Sequence, residues 1–219
     1  MRKFTIIGEG KTDHAVLKSI LIGYFNDPDE DKTRFIFDQP AFDETDRKKY
    51  SDQENFGGWV KVLQYCASEQ FRKGEADYQY IVIQIDTDRA HEKPFDVAYD
   101  PDINQYILSL KQRLIKAIGD TFYERIKEKV FFALCIKSLE CWLLPIRYVG
   151  KDANKMQAIN ACENLLNDSL KGSPNKDFDT YLKLSKDYRT KKLRQLYDKN
   201  PSLRIFIESL DTHFATTNP

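Results

Sequence analysis

Glu9 stands between two glycines in IIGEGKTDH, where a short apolar run stops, and a longer run, YIVIQIDTD, ends in Asp86 and Asp88. Carboxylates brought to one place repel one another unless something neutralises them. Magnesium or manganese does so, accepting carboxylate oxygens while keeping waters and substrate phosphates in its remaining positions. Two such ions about 4 Å apart can activate a water and stabilise a leaving oxygen, the chemistry of phosphodiester hydrolysis. Glu9, Asp86 and Asp88 are the expected metal ligands and catalytic residues. Asp13 and Glu140 are further candidate ligands, although Asp13 doubles as a helix cap and Glu140 could belong to a buried ion pair. Lys137 could stabilise negative charge developing at phosphorus, or be a solvated lysine.

The elements that must position these groups follow from periodicity. Phe4–Gly8 reads as a short buried strand, and from Asp13 the apolar residues Val16, Leu17, Ile20, Leu21 and Tyr24 recur at helical spacing. RFIFD is a second strand candidate, and the polar stretch from Gln39 to Asn55 reads as a loop. Gly57 and Gly58 lead into a helix carrying Trp59, Val60, Leu63, Cys66, Ala67 and Phe71. Tyr80–Ile85 and Lys129–Ile136 are nearly continuous apolar runs, as strands buried on both faces of a parallel sheet require. Between them lies a strongly periodic helix through Ile103, Ile107, Leu110, Leu114 and Ile118. Strands alternating with helices predict an α/β fold, a mainly parallel, Rossmann-like sheet with helices on both faces. Beyond about Gly150 strand signals cease, and helical patterns around Met156–Leu166, Tyr188–Tyr197 and Ser202–Leu210 follow. The chain therefore divides into an α/β domain over 1–150 and a helical segment over 151–219, packed on it. In open parallel sheets, sites form outside the carboxyl ends of the strands, where Glu9 and Asp86 both fall.

Gly10-Lys11-Thr12 has the ending of a phosphate-binding loop, but that motif needs a glycine five positions before Gly10, where Thr5 stands. Glu9 would also point a negative charge at the phosphate. The order of the motifs instead resembles the Toprim domain of topoisomerases, primases and related nucleases. A glutamate closes the first strand in GEGKTD, and Asp-x-Asp closes a later one in IVIQIDTD. The E-G-x-[ST]-[DE] opening is similar to that of OLD-family nucleases and small stand-alone bacterial Toprim proteins, with Asp13 as the second acidic residue. Glu140, Trp142 and Leu143 in KSLECWLLP match a glutamate-plus-aromatic motif of those small proteins. The resemblance covers roughly 1–145. It implies a Mg- or Mn-dependent nuclease acting on DNA or RNA, with an ATPase partner in phage-defence or mobile-element loci. A non-catalytic Toprim-fold interaction or regulatory subunit, and a nucleotidyl transferase, are the rival functions.

Charge and composition fit these expectations without selecting among them. Formal net charge is +0, yet residues 1–100 hold 14 Lys and Arg against 20 Asp and Glu, and the remainder is basic by the same margin of six. An acidic centre beside a more basic surface suits a polyanion. The stretch YRTKKLRQLYDK puts Arg189, Lys191, Lys192 and Arg194 on one expected helix, which with Lys11 could follow a nucleic-acid backbone, or be a solvated face. Cys66, Cys135, Cys141 and Cys162 form no CxxC pair and sit among apolar residues, so buried reduced thiols are expected. The N-terminal apolar run is too short for a membrane span, and a cytoplasmic location is expected.

Overall fold

The computed structural model describes residues 1–39, 58–148 and 162–216. Strands β1 (Arg2–Ile7), β2 (Thr33–Gln39), β3 (Tyr80–Asp86) and β4 (Val130–Cys135) form one sheet in the order β2-β1-β3-β4. Every pairing is parallel. The expected adjacency of the first strand and Tyr80–Ile85 is thus found, with Phe4 opposite Tyr80 and Ile7 opposite Ile83. The chain leaves β1 for one edge and returns to its other side as β3. The β1–β3 boundary is therefore the point at which strand order reverses, where a crevice opens at the carboxyl edge.

Alternation along the strands divides the interior into two cores. Phe4, Ile6, Val82, Phe131 and Ala133 face one side, packed with helix α1 (Lys11–Tyr24). Ile7, Ile81, Ile83, Ile85, Phe132 and Leu134 face the other. That second face is covered by α2 (Trp59–Ala67), α3 (Glu69–Lys73), α4 (Ile103–Ile118) and α5 (Asp120–Ile126). The expected helix through Phe71 breaks at Ser68, whose hydroxyl accepts the Phe71 N–H and caps α3. A serine oxygen competes with the helical ladder in this way.

Helices α6 (Glu140–Arg147), α7 (Cys162–Leu170), α8 (Phe178–Leu184), α9 (Leu193–Leu196) and α10 (Pro201–Thr216) join α1 on the first face. Tyr181, Tyr188, Leu193, Phe206 and Ile207 of the C-terminal segment are all buried there, so this segment shares a core with β1 and α1. At Gly23 of α1 the backbone carbonyl of Tyr188 lies so close that a Cβ would sit 1.7 Å from it. Glycine is required for that approach.

Two expectations are corrected. Tyr188–Tyr197 is not one helix: it comprises the end of a 3-10 turn (Lys186–Arg189), the four-residue α9 and the start of a second 3-10 turn at Tyr197. Burial of Tyr188, Leu193 and Leu196 sets the path here, in place of regular helical spacing. The cysteines are not all reduced. Cys141 in α6 and Cys162 in α7 form a disulfide, Cα atoms 4.9 Å apart, while Cys66 and Cys135 are buried free thiols. Sequence spacing carried no sign of a pair separated by 21 positions. The loop expected over Gln39–Asn55 lies, from residue 40 on, outside the described residues, as does the start of the Met156–Leu166 pattern. Among the described residues no helix is long and apolar enough to cross a membrane.

Candidate metal centre

Glu9 follows directly on Gly8 at the end of β1, and its carboxylate turns toward β3. Its Oε1 accepts the backbone N–H of Asp86 at 2.5 Å, and the Trp59 N–H, at the start of α2, is a second donor. Gly58 also donates its N–H to the Glu9 carbonyl, 3.0 Å away. Gly58 holds φ 89, a left-handed conformation that favours glycine, so this residue lets α2 aim its first N–H groups at Glu9.

Asp13 occupies the third position of α1 and is buried. Its Oδ2 accepts the Gly10 N–H at 2.6 Å, so the capping role weighed for it is real. Asp86, the last residue of β3, receives the Leu139 N–H at the start of α6. Glu140 opens α6, is buried, and accepts the Tyr181 hydroxyl of α8 at 2.8 Å. Each of these carboxylates thus has a donor from the chain, three of them at helix N-termini.

The donors do not cancel the mutual repulsion. Burial, then the neighbouring Asp13, pushes the Glu9 carboxyl from 4.5 up to about 8, against the pull of the Asp86 N–H. Burial pushes Asp13 up to about 7, opposed by the Gly10 N–H and reinforced by Glu140. Asp86 is raised well above its ordinary value by burial and then by Glu9, Asp13 and Glu140. These four carboxylates, from the ends of β1 and β3 and the starts of α1 and α6, form one electrostatic cluster. Asp88 also acts on Glu9 by its charge, from a different position in the backbone. Side chains two apart on a strand point the same way, but the strand ends at Asp86 and Asp88 lies in the following turn, exposed, within electrostatic reach of Glu9.

Lys137 shapes that turn through its backbone. Its carbonyl accepts the N–H groups of Thr87 and Asp88, both at 3.0 Å, and its N–H donates to the Thr87 hydroxyl at 2.9 Å. It pays for this position with φ 72, unusual for a non-glycine residue. Its ammonium lies 5.2 Å over the Tyr99 ring. Lys11 is the first residue of α1. The basic residues of the C-terminal segment lie elsewhere and are largely engaged. Arg189 pairs with Glu30, Lys192 with Asp187 and Arg194 with Asp211, whereas Lys191 has no ion pair among the described residues.

Two residues of the centre had not been singled out. Gln84, fully buried in β3, accepts the Glu9 N–H through Oε1 at 3.2 Å and donates from Nε2 to Asp86 Oδ1 at 2.9 Å. It fixes the spacing of the two carboxylates, and its only signal was a polar residue inside an apolar run. Lys176, before α8, pairs with Glu163 at 2.9 Å, and its charge acts on Asp13, Glu140 and Asp86. Nothing in its local sequence marks it. His14 is structural: burial lowers it to about 4, Nε2 bonds the Gln39 carbonyl at 2.8 Å, and the ring stacks on Phe37.

The donor set is all oxygen, which suits a hard divalent cation such as magnesium or manganese. Among the described residues, however, no three His, Cys, Asp or Glu side chains already stand as a metal-binding group. Glu9 and Asp13 each give one oxygen to a backbone N–H. No protein-family model, curated protein or solved structure matches the chain.

Proposed function

We propose that this chain is a metal-dependent phosphodiester hydrolase acting on DNA or RNA, of the Toprim kind, with the partner ATPase that this resemblance implies. The observation that carries the reading is the convergence of Glu9, Asp13, Asp86 and Glu140 at the β1–β3 switch point. Carboxylates held in mutual repulsion cost stability unless a cation or a proton neutralises them, and clusters of strongly shifted carboxylates gather at functional sites. Glu9, Asp86 and Asp88 would hold magnesium or manganese, with Asp13 and Glu140 behind them. Bound there, the metal would supply charge neutralisation and an activated water.

The chain's own contribution is placement. Gln84 keeps Glu9 and Asp86 in register. The Lys137 backbone holds Asp88 at the solvent-facing lip. Lys176 brings a cation toward an otherwise acidic centre, where it would oppose repulsion of a phosphate.

A non-catalytic subunit that keeps the fold is the second reading. It draws support from the way backbone donors and Tyr181 already satisfy these carboxylates. Incubation of the purified chain with plasmid and with RNA, in magnesium, manganese or chelator, separates the two. Cation-dependent cleavage lost in both Glu9→Gln and Asp86→Asn supports the hydrolase. Cleavage that survives both substitutions would show that it does not arise at this centre, and none with either metal favours the subunit.

A further inference from the structure

A second cavity lies away from the acidic centre. Because Phe4 and Ile6 face the α1 core, Lys3 and Thr5 face the opposite side, as do Arg34 and Ile36, which lie opposite them on β2. Helices α2 and α3 cover this face only in part, leaving a cavity of about 440 Å³ lined by those four residues, Tyr65 and Tyr78 among others. That is large enough for a small organic ligand.

Its chemistry has two ends. Lys3 and Arg34 are directly paired in register, a placement that sets two like charges side by side on neighbouring strands. Neither forms an ion pair among the described residues. Edge strands often carry charge to discourage pairing, and Arg34, which is exposed, serves that end by itself. Lys3, half-buried on the inner strand, does not. Away from this pair the wall is built of hydroxyls and carboxylates. The Tyr65 hydroxyl donates to Asp38 Oδ2 at 2.9 Å, Tyr78 joins the same hydrogen-bonded group, and buried Thr5 and the carboxylate of Asp77 also line the space.

We infer that this cavity binds a small phosphate ester, its phosphate between Lys3 and Arg34 and its hydroxyl or amino donors toward Asp38 and Asp77. A mononucleotide or a sugar phosphate has this chemistry. The site is independent of the proposed hydrolase. Lys3 lies near the start of β1 and Glu9 just past its end, roughly 20 Å apart at about 3.3 Å per residue.

The test is a titration of the isotopically labelled full chain, without divalent cation, followed by backbone amide shifts. The probes are inorganic phosphate, adenosine 5′-monophosphate and adenosine. The expected result is saturable shifts at Lys3, Thr5 and Arg34, tighter for the nucleotide than for phosphate and absent for adenosine. In Lys3→Gln/Arg34→Gln, binding should weaken at least tenfold while the remaining spectrum is preserved. No shifts with any probe, shifts confined to Gly10 and Lys11, or unchanged binding by the double variant would each overturn the site. Equal affinity for phosphate and nucleotide would overturn the organic half of the assignment.

Discussion

Replacing Glu9 by glutamine should stabilise the metal-free chain at pH 8. Glutamine keeps an oxygen for the Asp86 N–H and removes the charge that burial and Asp13 oppose. Between pH 4.5 and about 8 the folded chain keeps a proton on Glu9 that the unfolded chain has released. The native state binds more protons across that window, so stability falls as pH rises through it. Each pH unit of displacement corresponds to about 1.4 kcal/mol, which gives a ceiling of about 5 kcal/mol at pH 8. Asp13 and Asp86 keep part of the repulsion, so about 2 kcal/mol is the expected gain, or about 4–8 °C in Tm for a chain of this size. By pH 5 the difference should shrink below about 1 kcal/mol. Urea and thermal unfolding of both chains in chelator, at pH 5 and pH 8, measure it. Millimolar magnesium should then stabilise the wild-type chain more than Glu9→Gln, because ligand binding adds to native stability. A Glu9→Gln chain no more stable than wild type at pH 8, with wild-type Tm flat from pH 5 to 8, would refute the repulsion argument.

Four other outcomes follow from the same geometry. Cys141→Ser/Cys162→Ser should lose roughly 3 kcal/mol, the loop-closure value for a separation near that of this pair, and thiol titration of the unreduced wild-type chain should find the two thiols of Cys66 and Cys135; four would refute the disulfide. Lys137→Gly should be at least as stable as wild type, because glycine adopts φ 72 freely, whereas Lys137→Ala keeps the strain; equal stabilities would remove the conformational explanation. Gln84→Leu leaves the Glu9 N–H and Asp86 Oδ1 without their bridge and should cost about 1–3 kcal/mol, weakening magnesium stabilisation as well; an unchanged metal response would show that Gln84 does not set the centre. Because Arg189, Lys192 and Arg194 are engaged in ion pairs, Lys191→Ala/Lys192→Ala/Arg194→Ala should flatten the salt dependence of DNA or RNA binding by about one log–log unit, one phosphate contact; a change of three would show that those pairs open on binding.

Apolar periodicity made the sheet legible. Runs such as YIVIQID and VFFALC bury both faces, and Gly-Glu-Gly and Asp-Thr-Asp mark their ends, so the carboxyl edge could be located from spacing. Local rules stopped at contacts between distant segments. Gln84 reaches Glu9 across 75 positions, Tyr181 reaches Glu140 across 41, and Lys176 acts on Asp86 from the far end of the chain. The Cys141–Cys162 pair was hidden for the same reason, since apolar neighbours describe a buried thiol and a buried disulfide alike. Alternation holds only while the backbone stays extended, so it does not carry past the strand end at Asp86 to Asp88, whose turn Lys137 bonds.

The C-terminal segment bears on the acidic cluster as well as on the packing. Without Tyr181 and Lys176, Glu140 would be a buried carboxylate lacking its hydrogen-bond donor, and the acidic cluster would lose a facing cation. An unpartnered buried charge is strongly destabilising, whereas a partnered one is tolerated. The Cys141–Cys162 disulfide ties α6 to α7, and the Lys176–Glu163 pair ties the start of α8 to α7 at the next residue in sequence. Glu140 and Cys141 are likewise adjacent at the start of α6. A covalent link therefore lies beside an acidic residue on each of the two helices. Changes that loosen α7 should therefore reach the acidic cluster through Lys176 and Glu140.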